Sequence, residues 1–200
     1  MIAILDYNRD YAQALEKLLA ESGIEAKASM NEALLCRSHE IIFPPVPEIS
    51  GVLRKFHLLN LYSLLRMVRK PVLGIASGVE LMLEYAVEKK ESALCYFPEL
   101  SKKYGIREEE IKPGFFPVTK AVDSKLLQDI PDGAEFYFDF TLSFSNSAIV
   151  KGSFFCGEEL PAVCEKNENY GVMFDILASG ANGMMVMKNF AALAGKAECA

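Results

Sequence analysis

Residues 74–78 read Gly-Ile-Ala-Ser-Gly and follow the apolar run Pro71-Val72-Leu73. A buried strand that turns abruptly into a helix, with glycines on both sides, has the form of a nucleophile elbow. Such a turn lifts its central side chain over a helix N-terminus, where backbone N–H groups stabilise an oxyanion or lower a thiol pKa. The central residue here is Ala76, which carries no nucleophile. Ser77 is one residue out of register with the serine of a G-x-S-x-G elbow, and it reads as an N-cap for the following helix. Turns of this kind hold the central residue at φ > 0, unfavourable for alanine, and Ala76 is expected to keep that geometry.

Two further strand ends could contribute chemistry, because ligands of open α/β sheets collect at the carboxyl ends of strands. Phe174-Asp175-Ile176-Leu177 is where a catalytic base would be expected, yet the chain has only two histidines, His39 and His57, both far from it in sequence. A Cys–His or Ser–His–Asp relay therefore lacks its histidine. Phe43-Pro44-Pro45-Val46-Pro47 is the third. An oxyanion loop works through backbone N–H donors, and three prolines remove three of them. Glu80, Asp139 and Asp175 could bring carboxylates to the same crevice and bind a cation or an amine. Their other reading is as unrelated polar residues at strand ends.

The elements that must position these residues alternate. Ile2–Leu5 is a short apolar run. Tyr11, Ala14, Leu15, Leu18 and Leu19 then recur at helical spacing, and Gly23 is the expected C-cap. A small strand is expected around Glu25–Ala28, another at Ile41–Phe43, a helix over about Val52–Arg69, and a strand at Pro71–Ile75. After the elbow, Val79, Met82, Leu83 and Ala86 mark a helix face. In the second half Phe136, Phe138, Phe140, Leu142 and Phe144 alternate with polar residues, a strand with one apolar face. Ala148–Cys156, Pro161–Glu165 and Gly171–Phe174 add strands. A last helix carries Met184, Met187, Ala191 and Ala194 on one side, core rather than cofactor site. Pro98–Lys112 is charged and aperiodic and reads as a surface excursion. Strands alternating with helices imply βαβ units and a parallel sheet.

Two hundred residues fit one domain, 1–200, with hydrophobic residues 51% of the composition. A net charge of -6 with no Lys/Arg cluster argues against nucleic acid. No apolar run reaches bilayer length, and the N-terminal run is too short for a signal peptide. Five scattered cysteines without a C-x-x-C pair suggest reduced thiols and a cytoplasmic protein. No cofactor and no metal are expected.

In order and spacing, Ile4–Tyr7, Pro71–Ile75, Gly78–Glu84, Ile130–Gly133 before Phe136–Phe138, Gly171–Phe174 and Lys188–Phe190 resemble the class I glutamine amidotransferase family, in particular the glutaminase subunit of imidazole glycerol phosphate synthase. The resemblance spans nearly the whole chain. It implies an α/β, flavodoxin-like, mostly parallel sheet with flanking helices and additional antiparallel strands in the C-terminal half. The functional positions depart from the family. Its G-I-C-x-G elbow has Ala76 in place of cysteine. Its F-H-P-E base and orienting acid correspond to Asp175 and Leu177, and a substrate-holding glutamine corresponds to Glu80. Its P-G-V-G oxyanion loop corresponds to Pro44–Pro47, and Y-G-x-G-N to Tyr7–Tyr11. The expectation is a catalytically degenerate amidotransferase-like protein with a binding, scaffold or regulatory role. Its implied partner is a (β/α)8-barrel synthase or cyclase subunit. Glu80, Ser77, Pro45, Val46 and Asp139 are candidates to line the former glutamine pocket around a small ligand. The alternative is an enzyme of changed chemistry in that crevice.

Overall fold

The computed structural model describes residues 1–85, 91–97, 107–108, 111–121, 123–143 and 148–197. The strands are β1 (Ile2–Ile4), β2 (Ala26–Ala28), β3 (Glu40–Phe43), β4 (Val72–Ile75), β5 (Arg107–Glu108), β6 (Gly114–Lys120), β7 (Ala134–Phe138), β8 (Leu142–Ser143), β9 (Val150–Cys156), β10 (Glu158–Lys166) and β11 (Asn169–Val172). Nine of them form one sheet in the order β2-β1-β3-β4-β11-β10-β9-β6-β7. Strands β2, β1, β3, β4 and β11 run parallel; from β11 outward every pairing is antiparallel. Strands β3 and β4 are buried at every residue, as strands covered on both faces must be.

Helix α1 (Arg9–Glu21) buries Ala12, Leu15 and Leu19 and is followed by Gly23 at φ +76°, a left-handed stop. A short helix, α2 (Glu32–Arg37), has no signature in the sequence beyond its Asn31 cap. The single helix expected over Val52–Arg69 is two: α3 (Ile49–Leu58) and α4 (Leu61–Met67). Asn60 separates them in the left-handed region at φ 57°, and the apolar period runs through the break without a glycine or proline to mark it.

The helix expected after the elbow is instead a 3₁₀ run, Ala76–Met82. An α-helix would need the carbonyls of Leu81 to Glu84 for residues four further on. Those carbonyls accept from the backbone N–H groups of residues 93–97: Leu94 on Leu81, Tyr96 and Phe97 on Met82, Cys95 on Leu83, Ala93 on Glu84. Ala86, on the expected helix face, lies outside the described residues, as do Phe144 and most of Pro98–Lys112.

The aromatic strand is also divided. Phe136, Phe138, Phe140 and Leu142 are buried as the alternation requires, but β7 ends at Phe138 and β8 pairs separately with β5. Phe138 stacks on Phe154 with centroids 3.9 Å apart, and Phe136 on Phe174 at 4.1 Å. Strand β6 has Pro117 inside it. Its pairing with β9 covers only Val118–Lys120, so Pro117 lies where no donor toward β9 is needed. The edge strand β7 is closed off by the turn into the last helix, α5 (Gly180–Ala197). Tyr137 N–H donates to Ser179 Oγ at 3.0 Å, and Asn182 Nδ2 donates to Glu135 O at 2.8 Å. On α5 the buried face is Gly183, Val186, Met187 and Phe190; Met184 and Ala191 are only partly covered, one step around from the expected face. Among the described residues no helix is long and apolar enough to cross a membrane.

Candidate functional site

Ala76 stands directly after β4, at the carboxyl edge of the parallel strands, with φ +46° and 2% exposure. The elbow shape is thus present with a methyl group at its centre. The turn is held by two close approaches. A Cβ on Gly78 would meet the carbonyl oxygens of Phe43 and Pro44 at 2.4 and 2.5 Å, and one on Gly74 would meet Val79 Cα at 3.0 Å. Elbow and β3 end therefore touch backbone to backbone, which only glycine permits. The left-handed geometry costs an alanine about 1–2 kcal/mol, whereas glycine adds about 0.5–1 kcal/mol of chain entropy. Ala76→Gly is accordingly expected to stabilise the protein by up to ~1 kcal/mol in urea unfolding.

The Pro44–Pro47 loop lies against this elbow with its backbone already spoken for. Its one N–H, on Val46, donates to Ser77 Oγ at 2.8 Å. The same hydroxyl is 3.3 Å from Val46 O, Tyr7 Oη donates to Pro44 O at 2.6 Å, and Asn8 Nδ2 donates to Pro45 O at 2.9 Å. Ser77 is therefore a cross-link between the elbow and this loop and not an N-cap; the 3₁₀ run has no side-chain cap. The reason is distance in sequence, since a partner 31 residues away satisfies the hydroxyl and capping geometry does not arise. Pro45 and Val46 are half-buried. Ser77→Ala leaves Val46 N–H without its partner and is expected to cost about 1–3 kcal/mol in urea unfolding.

Asp175 follows β11 by three residues. Its backbone N–H donates to Tyr137 O at 2.9 Å. Its Oδ1 accepts from Ala178 N–H at 2.8 Å and from Tyr11 Oη at 3.2 Å, and its carbonyl accepts from Ser179 Oγ. The carboxylate is thus committed to the turn it opens and to helix α1. Burial, with the Asp175 charge adding to it, pushes the Tyr11 phenol well above its ordinary range, so Tyr11 stays a donor. Leu177, two residues on, is half-buried, and its side chain offers no polar atom.

Asp139 is close enough to Asp175 to feel its charge. Partial desolvation first, and that charge second, raise its pKa. An acid with a raised folded-state pKa adds stability below its unfolded value, and that stability is lost as pH rises through the folded value. Asp139→Asn is therefore expected to raise the Tm at pH 7, with the difference disappearing below about pH 4, the ordinary aspartate value. The effect is small because the side chain is solvent-exposed. Glu80 is buried at 7% exposure on the 3₁₀ run. Among the described residues no group of three or more His, Cys, Asp or Glu side chains could hold a metal, so Glu80, Asp139 and Asp175 do not form the three-carboxylate cation site considered from the sequence. His39 and His57 are exposed, and His57 stacks on Tyr62 at 4.2 Å.

No family model matches the chain. Known proteins do. The chain is 29% identical to imidazole glycerol phosphate synthase subunit HisH of Pseudomonas syringae pv. syringae (strain B728a), across 98% of each chain. It is 27% identical to the HisH subunit of Bacillus cereus (strain AH187), across 95% of this chain and 93% of that one. A crystal structure of a glutamine amidotransferase superposes with a TM-score of 0.70 at 14% identity, covering 97% and 98% of the two chains. The fold is that of the class I glutamine amidotransferases. PurLQS from Thermotoga maritima shares it, with a TM-score of 0.65 at 13% identity over 96% and 97%. In sequence the chain is a relative of HisH.

On this amidotransferase fold the elbow, the Pro44–Pro47 loop and Asp175 sit at one edge of the sheet, tied together by Tyr7, Asn8, Tyr11 and Ser77. The ties from Tyr7, Asn8 and Tyr11 were not foreseen. Their signal is a run of polar side chains directly beyond the carboxyl end of β1, a place where side chains meet the neighbouring strand ends.

Proposed function

We propose that this chain is a non-catalytic glutamine amidotransferase-like protein that acts by binding, with a synthase subunit as its candidate partner. One observation carries the reading: the elbow keeps its shape around a methyl group while the donor opposite it is occupied. Acyl transfer from glutamine needs a nucleophile, a base and free oxyanion donors. Ala76 supplies no nucleophile. Asp175 at the base position is held by Ala178 and Tyr11. The only N–H of the Pro44–Pro47 loop is bonded to Ser77. The relatives' names describe subunits of a synthase, which supports a partner for this chain as well.

The experiment is Ala76→Cys. A single missing nucleophile would be repaired by it, whereas groups acting as a unit are not restored one at a time. Ammonia release from glutamine by the variant is expected to equal that of a protein-free blank; turnover above the blank would overturn the reading.

A second reading, an enzyme of changed chemistry, draws on Asp139, because a carboxyl whose pKa is raised by partial desolvation and by a neighbouring charge, here that of Asp175, is a usual general acid. Tyr11 and Ala178 already occupying Asp175 weigh against it.

A further inference from the structure

A concavity lies at the opposite edge of the sheet from the elbow, where β4 and β11 begin. It measures about 340 Å³ and is lined by Arg66, Arg69, Lys70, Lys166 and Glu168, with Cys95 and Tyr96 in its wall. Four cationic side chains thus face one acid in a chain whose net charge is -6. We propose that this cavity binds a small polyanion carrying phosphoryl or carboxylate groups, a role beyond the amidotransferase-like reading and independent of it.

The two arginines carry the proposal. Among the described residues neither Arg66 nor Arg69 has a carboxylate within ion-pair distance, and both are exposed. Arg66 is oriented by the ring of Tyr62, 5.8 Å from its guanidinium carbon. A guanidinium presents paired N–H donors that match the oxygens of a phosphate or carboxylate. Lys70 plays a different part. Its ammonium donates to the carbonyls of Leu35 and Cys36, each at 3.0 Å, and to that of Ser38, so it builds the wall and adds charge.

The rest of the wall is rigid. Asn169 Nδ2 donates to Tyr96 O at 2.9 Å, Tyr96 N–H donates to Met82 O at 2.8 Å, and the Tyr96 hydroxyl donates to Leu65 O. Segment 95–96, helix α4 and the start of β11 are therefore fixed to one another before any ligand arrives. A preformed wall lowers the ordering cost of binding. The volume is at the small end of ligand cavities, suited to a compact anion.

Isothermal titration calorimetry with pyrophosphate and, separately, citrate at fixed ionic strength tests this. The result expected is saturable binding of at least one anion with Kd below about 1 mM, equivalent to about -4.1 kcal/mol. The two arms tell a phosphoryl preference from a carboxylate preference. R66Q/R69Q is expected to weaken that binding at least tenfold without lowering the ligand-free Tm, while Lys151→Gln, in a separate concavity, leaves it unchanged. R69Q alone serves if the double variant does not fold. No saturable binding by either anion, or binding that R66Q/R69Q or R69Q leaves intact, would overturn the proposal.

Discussion

Gly78→Ala should destabilise the protein by about 3 kcal/mol or more, lowering the Tm by about 6–12 °C in a chain of this size. The missing Cβ would stand 2.4 Å from Phe43 O, 2.5 Å from Pro44 O and 3.0 Å from Pro44 C. These are backbone atoms of β3 and the loop beyond it, so no side-chain rotation makes room. The elbow must move away from β3, or the loop must move away from the elbow. Either motion pulls Ser77 from Val46 and loosens the contact on which the site's shape depends. Circular dichroism melts of wild type and variant give the shift directly. A Tm within about 1 °C of wild type, less than a typical 1 kcal/mol change produces, would mean that elbow and β3 end are not in contact.

Phe174→Ala is expected to cost about 3–5 kcal/mol, the usual range for emptying an aromatic core position. Phe174 is fully buried, stacks on Phe136 at 4.1 Å and meets Phe138 edge-on at 5.7 Å. It is also the residue before Asp175, so its ring anchors the turn that presents that carboxylate to Tyr11. Phe174→Leu, closer in volume, should lose substantially less. Urea titrations of the three proteins check both statements; equal losses for Ala and Leu would place the cost in aromatic geometry rather than in the cavity.

Local signals were sufficient for much of this. Short apolar runs located β1, β3 and β4, the last two marked by proline or glycine, and the Gly-Ile-Ala-Ser-Gly spacing foretold a positive φ at Ala76. The misses have long-range causes. Ser77 has the sequence context of a cap but bonds to Val46. Residues 81–84 have helical periodicity, yet their carbonyls serve residues 93–97, and that competition is invisible to a local pattern. The break at Asn60 lacks a breaker residue, and Pro117 hid a strand that pairs with β7 through the proline and with β9 only beyond it. At the candidate site Ala76 was plain from the spacing of the elbow, and Asp175 and Leu177 were placed by the resemblance to the amidotransferase family. What could not be read was that the loop's last N–H is occupied and that Glu80 stays apart from the two aspartates as far as holding a metal is concerned.

On the proposed reading the retained elbow does not turn over glutamine. Its most direct test is ammonia release from glutamine by the purified wild-type chain, alone and with a barrel synthase subunit added. Release equal to the protein-free blank plus the subunit's own background is expected in both cases. Reproducible glutamine turnover by the wild-type chain in either case would contradict it.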